Sequence, residues 1–267
     1  MPTGAVAQPS PSHRPATIDV DDPWSSVQPA ASRRMVQAAI EAFAEQGYHA
    51  TTTRDIAARA GLSPAALYVH YPSKAALLAE ISRTGHEAAL ALVRHSLAAA
   101  GPDPVDRLCR VVHDFVVWHA EHRRVARVVQ YELAALPDDA SGAVADLRRR
   151  IEGLVESEIV AGVAAGRMAV TEPRGVARAI LSLCVDVSRW YDPRGRERAG
   201  TTAALYSELA ARMVGAGLSG TPPAPGTDRS TPGTDRSTPG TDRSTPGTDR
   251  SPTVETAGTT PASGRPE

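Results

Sequence analysis

Apolar residues recur every three to four positions through the middle of the chain, and almost nowhere do they alternate at the two-residue period of a strand. In "SRRMVQAAIEAFAEQG", Met35, Val36, Ala39, Ile40 and Phe43 fall at helical spacing, and Gly47 stops the helix. The next run, "TTTRDIAARAG", predicts a short helix with Thr52 as cap and Gly61 just past its end. Ser63 caps a second short helix, with Pro64 at the first position, where a missing N–H removes no helical bond. Tyr71-Pro72 ends it, because a residue before proline is pushed out of the helical region. Ser73 then opens a long helix running to about Ala99. Amphipathic stretches over 104–120, 123–135, 142–165, 173–191 and 197–214 follow, punctuated by "GPDP", "LPDD", "AGRMAVTEP" and "DPRG". The pattern predicts an all-α protein of about nine helices.

The periodicity fails at both ends. Residues 1–30 are rich in Pro, Ser and Ala and predict a disordered arm. From Pro225 the unit "PGTDRST" recurs at Pro232 and Pro239, with a clipped copy at Pro246. A seven-residue period suggests a coiled coil, but the unit has no apolar residue, and its Pro and Gly exclude a continuous helix. Such a segment cannot bury enough surface to offset its ordering entropy, so 219–267 is expected to be a disordered tail.

Composition changes little until it is read locally. The chain of 267 residues carries 29 basic and 30 acidic residues, a total that names no partner. Over 31–77, however, Arg33, Arg34, Arg54, Arg59 and Lys74 outnumber Glu41, Glu45 and Asp55, a local surplus suited to nucleic acid. Lys74 is the only lysine; all other basic residues are arginine. Cys109 and Cys184 lie in apolar helical contexts and read as buried thiols of a reducing compartment. No Cys/His cluster has metal spacing, and no cofactor is expected. No segment has the apolar length of a membrane span, and the N-terminus lacks the apolar core of a secretory signal. A soluble, cytoplasmic protein is expected.

Two short helices joined by "AGLS" form a helix-turn-helix in which Gly61 supplies a positive φ. Ile56, Ala57, Ala60 and Leu67 face inward, leaving the outer face of the second helix free. Small residues at its start, Ser63, Pro64, Ala65 and Ala66, let a backbone press deep into a major groove. Tyr68 offers a hydroxyl to phosphate and a ring to a base. Thr53 offers a hydroxyl and a free N–H to a phosphate, and Arg54 can read a guanine with two hydrogen bonds. His70 and the Arg33-Arg34 pair are further candidates that could equally be solvated surface.

"TTTRDIAARAGLSPAALYVHYPSKAALLAEI" resembles the DNA-binding signature of the TetR family of bacterial transcriptional regulators, through Thr53, Ile56, Ala57, Ala60, Gly61, Leu67, Tyr68, Tyr71, Lys74 and Leu77. Tyr71 departs from the family's usual phenylalanine. The resemblance implies a three-helix DNA-binding domain (31–77), then a helical ligand-binding and dimerisation domain (78–218). It implies a homodimer, built through 173–191 and 197–214, on a palindromic double-stranded operator. It carries DNA contacts onto Thr53, Arg54, Pro64, Ala65, Ala66, Tyr68, His70 and Lys74. "SRWYDPRGRERAGTTAALYSELAARMVG" is similar to C-terminal domains of actinobacterial-type TetR regulators of lipid and steroid catabolism, several of which respond to acyl-CoA thioesters.

The C-terminal half is less explicit. Leu108, Val111, Val112, Phe115 and Val116 form an apolar face; Phe115, Trp118, His119, Tyr131 and Arg178 are the candidate ligand contacts. Arg123, Arg124, Arg127 and Arg148–Arg150 could serve acyl-CoA phosphates. The resemblance implies a repressor released by a small-molecule effector; an activator or a ligand-independent regulator shares the same pattern. An enzyme is the rival from another class, but no GxSxG, HExxH, P-loop or dinucleotide fingerprint occurs, so no catalytic residue is assigned. His113 and Asp114 are neighbours that a helix is expected to point apart. An interaction scaffold built on the repeats is the remaining alternative.

Overall fold

The computed structural model describes residues 22–25 and 27–216; most of the expected arm and the whole expected tail lie outside them. The described residues form nine α-helices and a 3₁₀ turn, and no strand. In order these are α1 (Ala30–Gln46), α2 (Thr53–Arg59), α3 (Pro64–His70), α4 (Lys74–Ala99), α5 (Pro104–Glu121), α6 (Arg123–Tyr131), the 3₁₀ turn Leu133–Ala135, α7 (Asp138–Ala164), α8 (Pro173–Trp190) and α9 (Ala199–Met213).

Two apolar cores organise them. The first gathers Met35, Val36, Ile40 and Phe43 of α1, Ile56 of α2, Leu67 of α3, and Leu77, Leu78 and Ile81 of α4. It also takes in Val128 and Val129 of α6, Leu136, and Val144 of α7, so the helix-turn-helix rests on helices from far along the chain. The second core centres on α5, whose Leu108, Val111, Val112, Phe115 and Val116 meet α4, α7, α8 and α9. Each fully buried Leu or Ile contributes about 1.5–3 kcal/mol. α4 belongs to both cores. At Gly85 it approaches α6 so closely that a Cβ would sit 2.8 Å from Val129 Cγ2. That contact accounts for a residue costing about 1 kcal/mol relative to Ala in a helix.

Three expectations need adjustment. Trp24, assigned to the disordered arm, is 4% exposed and packs in the first core, with Val27 beside it. Its indole adds a large apolar surface to that core, which the Pro-, Ser- and Ala-rich composition around it did not signal. The helix expected over 123–135 ends at Tyr131 and yields to the 3₁₀ turn. The helix expected from 142 begins at Asp138, where Asp138 and Asp139 place negative charge on its first turn, a favourable match to the helix dipole.

Candidate nucleic-acid interface and ligand cavity

Local hydrogen bonds position the helix-turn-helix. Thr52 Oγ1 accepts from Asp55 N–H at 3.2 Å, and Asp55 Oδ2 accepts from Thr52 N–H at 2.9 Å, a reciprocal cap on α2. A further bond from the Thr52 hydroxyl, at 2.6 Å, completes the set; together these hold the Asp55 carboxyl below the usual carboxylate range. Gly61 turns the chain with φ 68°, and Ser63 Oγ accepts from Ala66 N–H at 3.3 Å to start α3 with Pro64 in its first turn. Ile56, Ala57 and Leu67 are fully buried, as their spacing predicts.

The outer face of α3 is thereby left free. Pro64, Ala65, Tyr68 and Val69 are exposed at i, i+1, i+4 and i+5, with Tyr68 56% and Val69 78% accessible. Ala66 and His70 are half-buried at its edges, and Ser63 and Arg54 are exposed. Thr53 Oγ1 lies 3.2 Å from Tyr68 OH, so the start of α2 and the middle of α3 form one polar surface. Arg59 ties α2 back to α1 through Glu45 at 2.7 Å and Glu41 at 3.3 Å.

Lys74 has partners the sequence did not announce. Its Nζ donates to Tyr48 O and Thr51 O, both at 2.7 Å, and lies 4.2 Å from the centroid of the Tyr48 ring. Thr51 Oγ1 donates to Gly47 O at 2.8 Å, and Tyr48 N–H donates to Glu132 Oε1 at 3.1 Å. The α1–α2 loop is therefore clamped by α4 on one side and by the end of α6 on the other. Two of the three ammonium N–H groups of Lys74 are used internally. A compact ammonium can converge on two carbonyls and a ring face in a way a planar guanidinium cannot.

A cavity of about 370 Å³ opens among α4, α5, α6, α7 and α8. Ala89, Phe115, Ile151, Leu181 and Val185 give it an apolar floor. Its polar rim is internally paired. Glu152 Oε1 accepts from Arg178 Nη2 at 2.9 Å and Arg174 Nε at 3.0 Å, and Arg148 Nη1 donates to Gln130 Oε1 at 2.7 Å. Tyr131, Ser182, Asp186 and His86 complete the lining. No group of His, Cys, Asp or Glu among the described residues could hold a metal ion.

Residues 36–81 match the family described as bacterial regulatory proteins, tetR family, and residues 101–214 match the tetracyclin repressor-like C-terminal domain. A tetR-family regulatory protein from Rhodococcus RHA1 is 43% identical, with 70% of this chain aligned to 98% of that one at a TM-score of 0.67. The chain belongs to the TetR family. The TetR-family regulator PfmR from Thermus thermophilus is 30% identical over 67% of this chain and 97% of its own, with a TM-score of 0.63. AibR, solved in complex with isovaleryl coenzyme A and operator DNA, shares the fold at 19% identity, covering 70% of this chain and 99% of its own with a TM-score of 0.63. No curated protein matches the chain.

As a DNA-binding TetR-family regulator, the protein has its candidate DNA contacts gathered around the turn between α2 and α3. The five candidate ligand contacts divide. Phe115, Tyr131 and Arg178 line the cavity; Trp118 and His119 do not. Trp118 stacks on His122 at 4.9 Å and borders a separate depression with Leu92 and His95. His119 is spent inside its own helix: its Nδ1 lies 2.7 Å from Phe115 O and its ring packs on Phe115 at 4.4 Å. His113 and Asp114, expected to point apart, meet at 3.2 Å, but Asp114 is also held by Ser96 and Arg110 in a structural network. The sequence reading missed His86, Gln130, Ile151 and Glu152. His86 did carry a signal, a histidine at helical spacing with Ser82, Ala89 and Val93 on the buried stripe of α4.

Proposed function

We propose that this regulator is a homodimeric repressor, released from a palindromic operator when a small, largely apolar effector enters the cavity. One observation carries the reading. α4 begins at Lys74 against the loop that feeds the helix-turn-helix, and twelve residues on it lines the cavity with His86. A ligand that favours one placement of α4 thereby favours one placement of α3, and affinity for DNA changes by differential binding to two states. Thr53, Arg54, Ser63, Pro64, Ala65, Ala66, Tyr68 and His70 are the proposed DNA contacts. Val69 joins them as an apolar partner for a thymine methyl. Lys74, half-buried against Tyr48 and Thr51, is a further proposed contact that would add positive charge beside a phosphate.

The proposed dimer uses the exposed apolar faces of the last two helices: Leu183 and Trp190 on α8, and Leu205, Leu209 and Met213 on α9. The proposed effector class is an acyl-CoA or similar hydrophobic ligand, whose acyl part suits a cavity near the lower end of the ~300–1,000 Å³ range. The DNA-binding unit is placed at 31–77 and the ligand-binding unit at 78–218. Footprinting of the protein's own upstream region, repeated with a short- to long-chain acyl-CoA series, tests the reading. A protected palindrome that one of the series releases is expected. Protection unchanged by every member would sink the effector class, and no protected site would sink the repressor reading.

A further inference from the structure

His86 is 2% exposed, yet its Nε2 has no hydrogen-bond partner. Its Nδ1 lies 2.8 Å from the carbonyl oxygen of Ser82 one turn earlier. A carbonyl only accepts, so Nδ1 carries the ring proton and Nε2 presents a bare lone pair. Burial keeps this ring neutral, pushing its pKa down to about 4. The residue lines the cavity beside Ala89 and Phe115, while the exposed Tyr131, Arg148 and Arg178 stand at the cavity's outer side. The inner end is apolar around His86, whose unmatched Nε2 is itself buried; the outer end is polar, with Arg148 and Arg178 set beside Glu152 and Asp186.

We propose that His86 Nε2 is the specificity-determining acceptor of the cavity, and that the effector carries a hydrogen-bond donor at its inner end: an apolar chain or ring bearing a hydroxyl group. The proposal rests on the reading of this cavity as the effector site and narrows it. An unsubstituted hydrocarbon end leaves a buried acceptor unpaired, and a carboxylate end sets a negative charge against a lone pair. A hydroxyl donates to Nε2 while its carbon body covers Ala89 and Phe115. Sites that bind through a buried polar group reject analogues lacking the matching donor.

The test uses two isomeric probes, 1-decanol and 1-methoxynonane, which have the same atoms and differ in having or lacking a donor. Binding to the full-length dimer is measured by calorimetry, and the His86 ring nitrogens are followed by ¹⁵N NMR. The alcohol is expected to bind at least about tenfold more tightly than the ether. It should also shift the Nε2 resonance, and His86→Phe should abolish the preference. Equal binding of the isomers, or a preference that survives in His86→Phe, overturns the role of His86. The comparison of isomers on the unaltered protein stands even if the variant fails to fold. Failure of both probes to bind overturns the proposal along with the cavity as a ligand site. A preference for the alcohol with no change in operator affinity upholds His86 as the acceptor while counting against the effector reading.

Discussion

The turn between α2 and α3 and the cavity among α4 to α8 solve different problems with the same kind of helix. The turn is built from neighbours. Thr52 bonds Asp55, Ser63 bonds Ala66, and Gly61 bends between them, all within fifteen residues. Its inner residues are buried and its outer ones free, so exposure itself marks the surface that acts. The cavity draws side chains from five helices distant in sequence, and its polar groups are largely engaged already, Arg178 with Glu152 and Arg148 with Gln130. Its buried group without a partner is an uncharged imidazole nitrogen. A recognition surface advertises itself by what it leaves outside the fold, and a binding cavity by what it leaves unsatisfied within it.

Four perturbations put that contrast at risk. The largest concerns the unpartnered apolar stripe of α9. Leu209→Glu should give a monomer by sedimentation and weaken operator binding by roughly a thousandfold, since the second half-site loses its effective concentration. An intact dimer would move the interface away from α8 and α9. Next comes pH, which acts on the ligand half. Burial holds both His86 and His119 at about 4, below the ordinary 6.5. Their folded pKa is depressed, so the unfolded chain binds more protons between pH 6.5 and 4. Stability is full above that window and falls through it on acidification, by roughly 3 kcal/mol per histidine. Urea melts should show the slope, and His86→Phe should remove about half of it.

Lys74 is the place where the two regions meet. Lys74→Met should lower stability by about 2 kcal/mol through loss of two charge-assisted bonds, and Lys74→Arg should not restore it fully. A variant of unchanged stability whose DNA affinity loses about one unit of salt slope would make phosphate contact its main role. The smallest effect is local: Thr52→Ala should cost about 1 kcal/mol by thermal melting, with the α3 surface unaltered.

These sizes follow what could be read in the chain. The caps, the turn glycine, the proline stops and the inward faces of α2 and α3 are set by residues within one helical turn of each other, so spacing alone reveals them. Trp24 and the Lys74 clamp were not legible, because Tyr48 and Thr51 come into reach of Lys74 only after α1, α2 and α3 have packed. The early start of α7 was hidden by "PDD", which serves equally as a turn or as the acidic first turn of a helix. The cavity was legible only in part. Phe115 lies on a strong apolar face, but nothing in sequence spacing separates Phe115, which reaches the cavity, from His119 one turn on, which packs against it.

The exposed face of α3 should read the operator and do nothing for the fold. Fluorescence anisotropy on the footprinted duplex, comparing the natural chain with Tyr68→Ala, decides this. A loss of about a hundredfold is expected, one lost contact in each half of the dimer, with helicity and dimerisation unchanged. Affinity within about twofold of the natural chain would contradict the assignment of α3 as the reading helix.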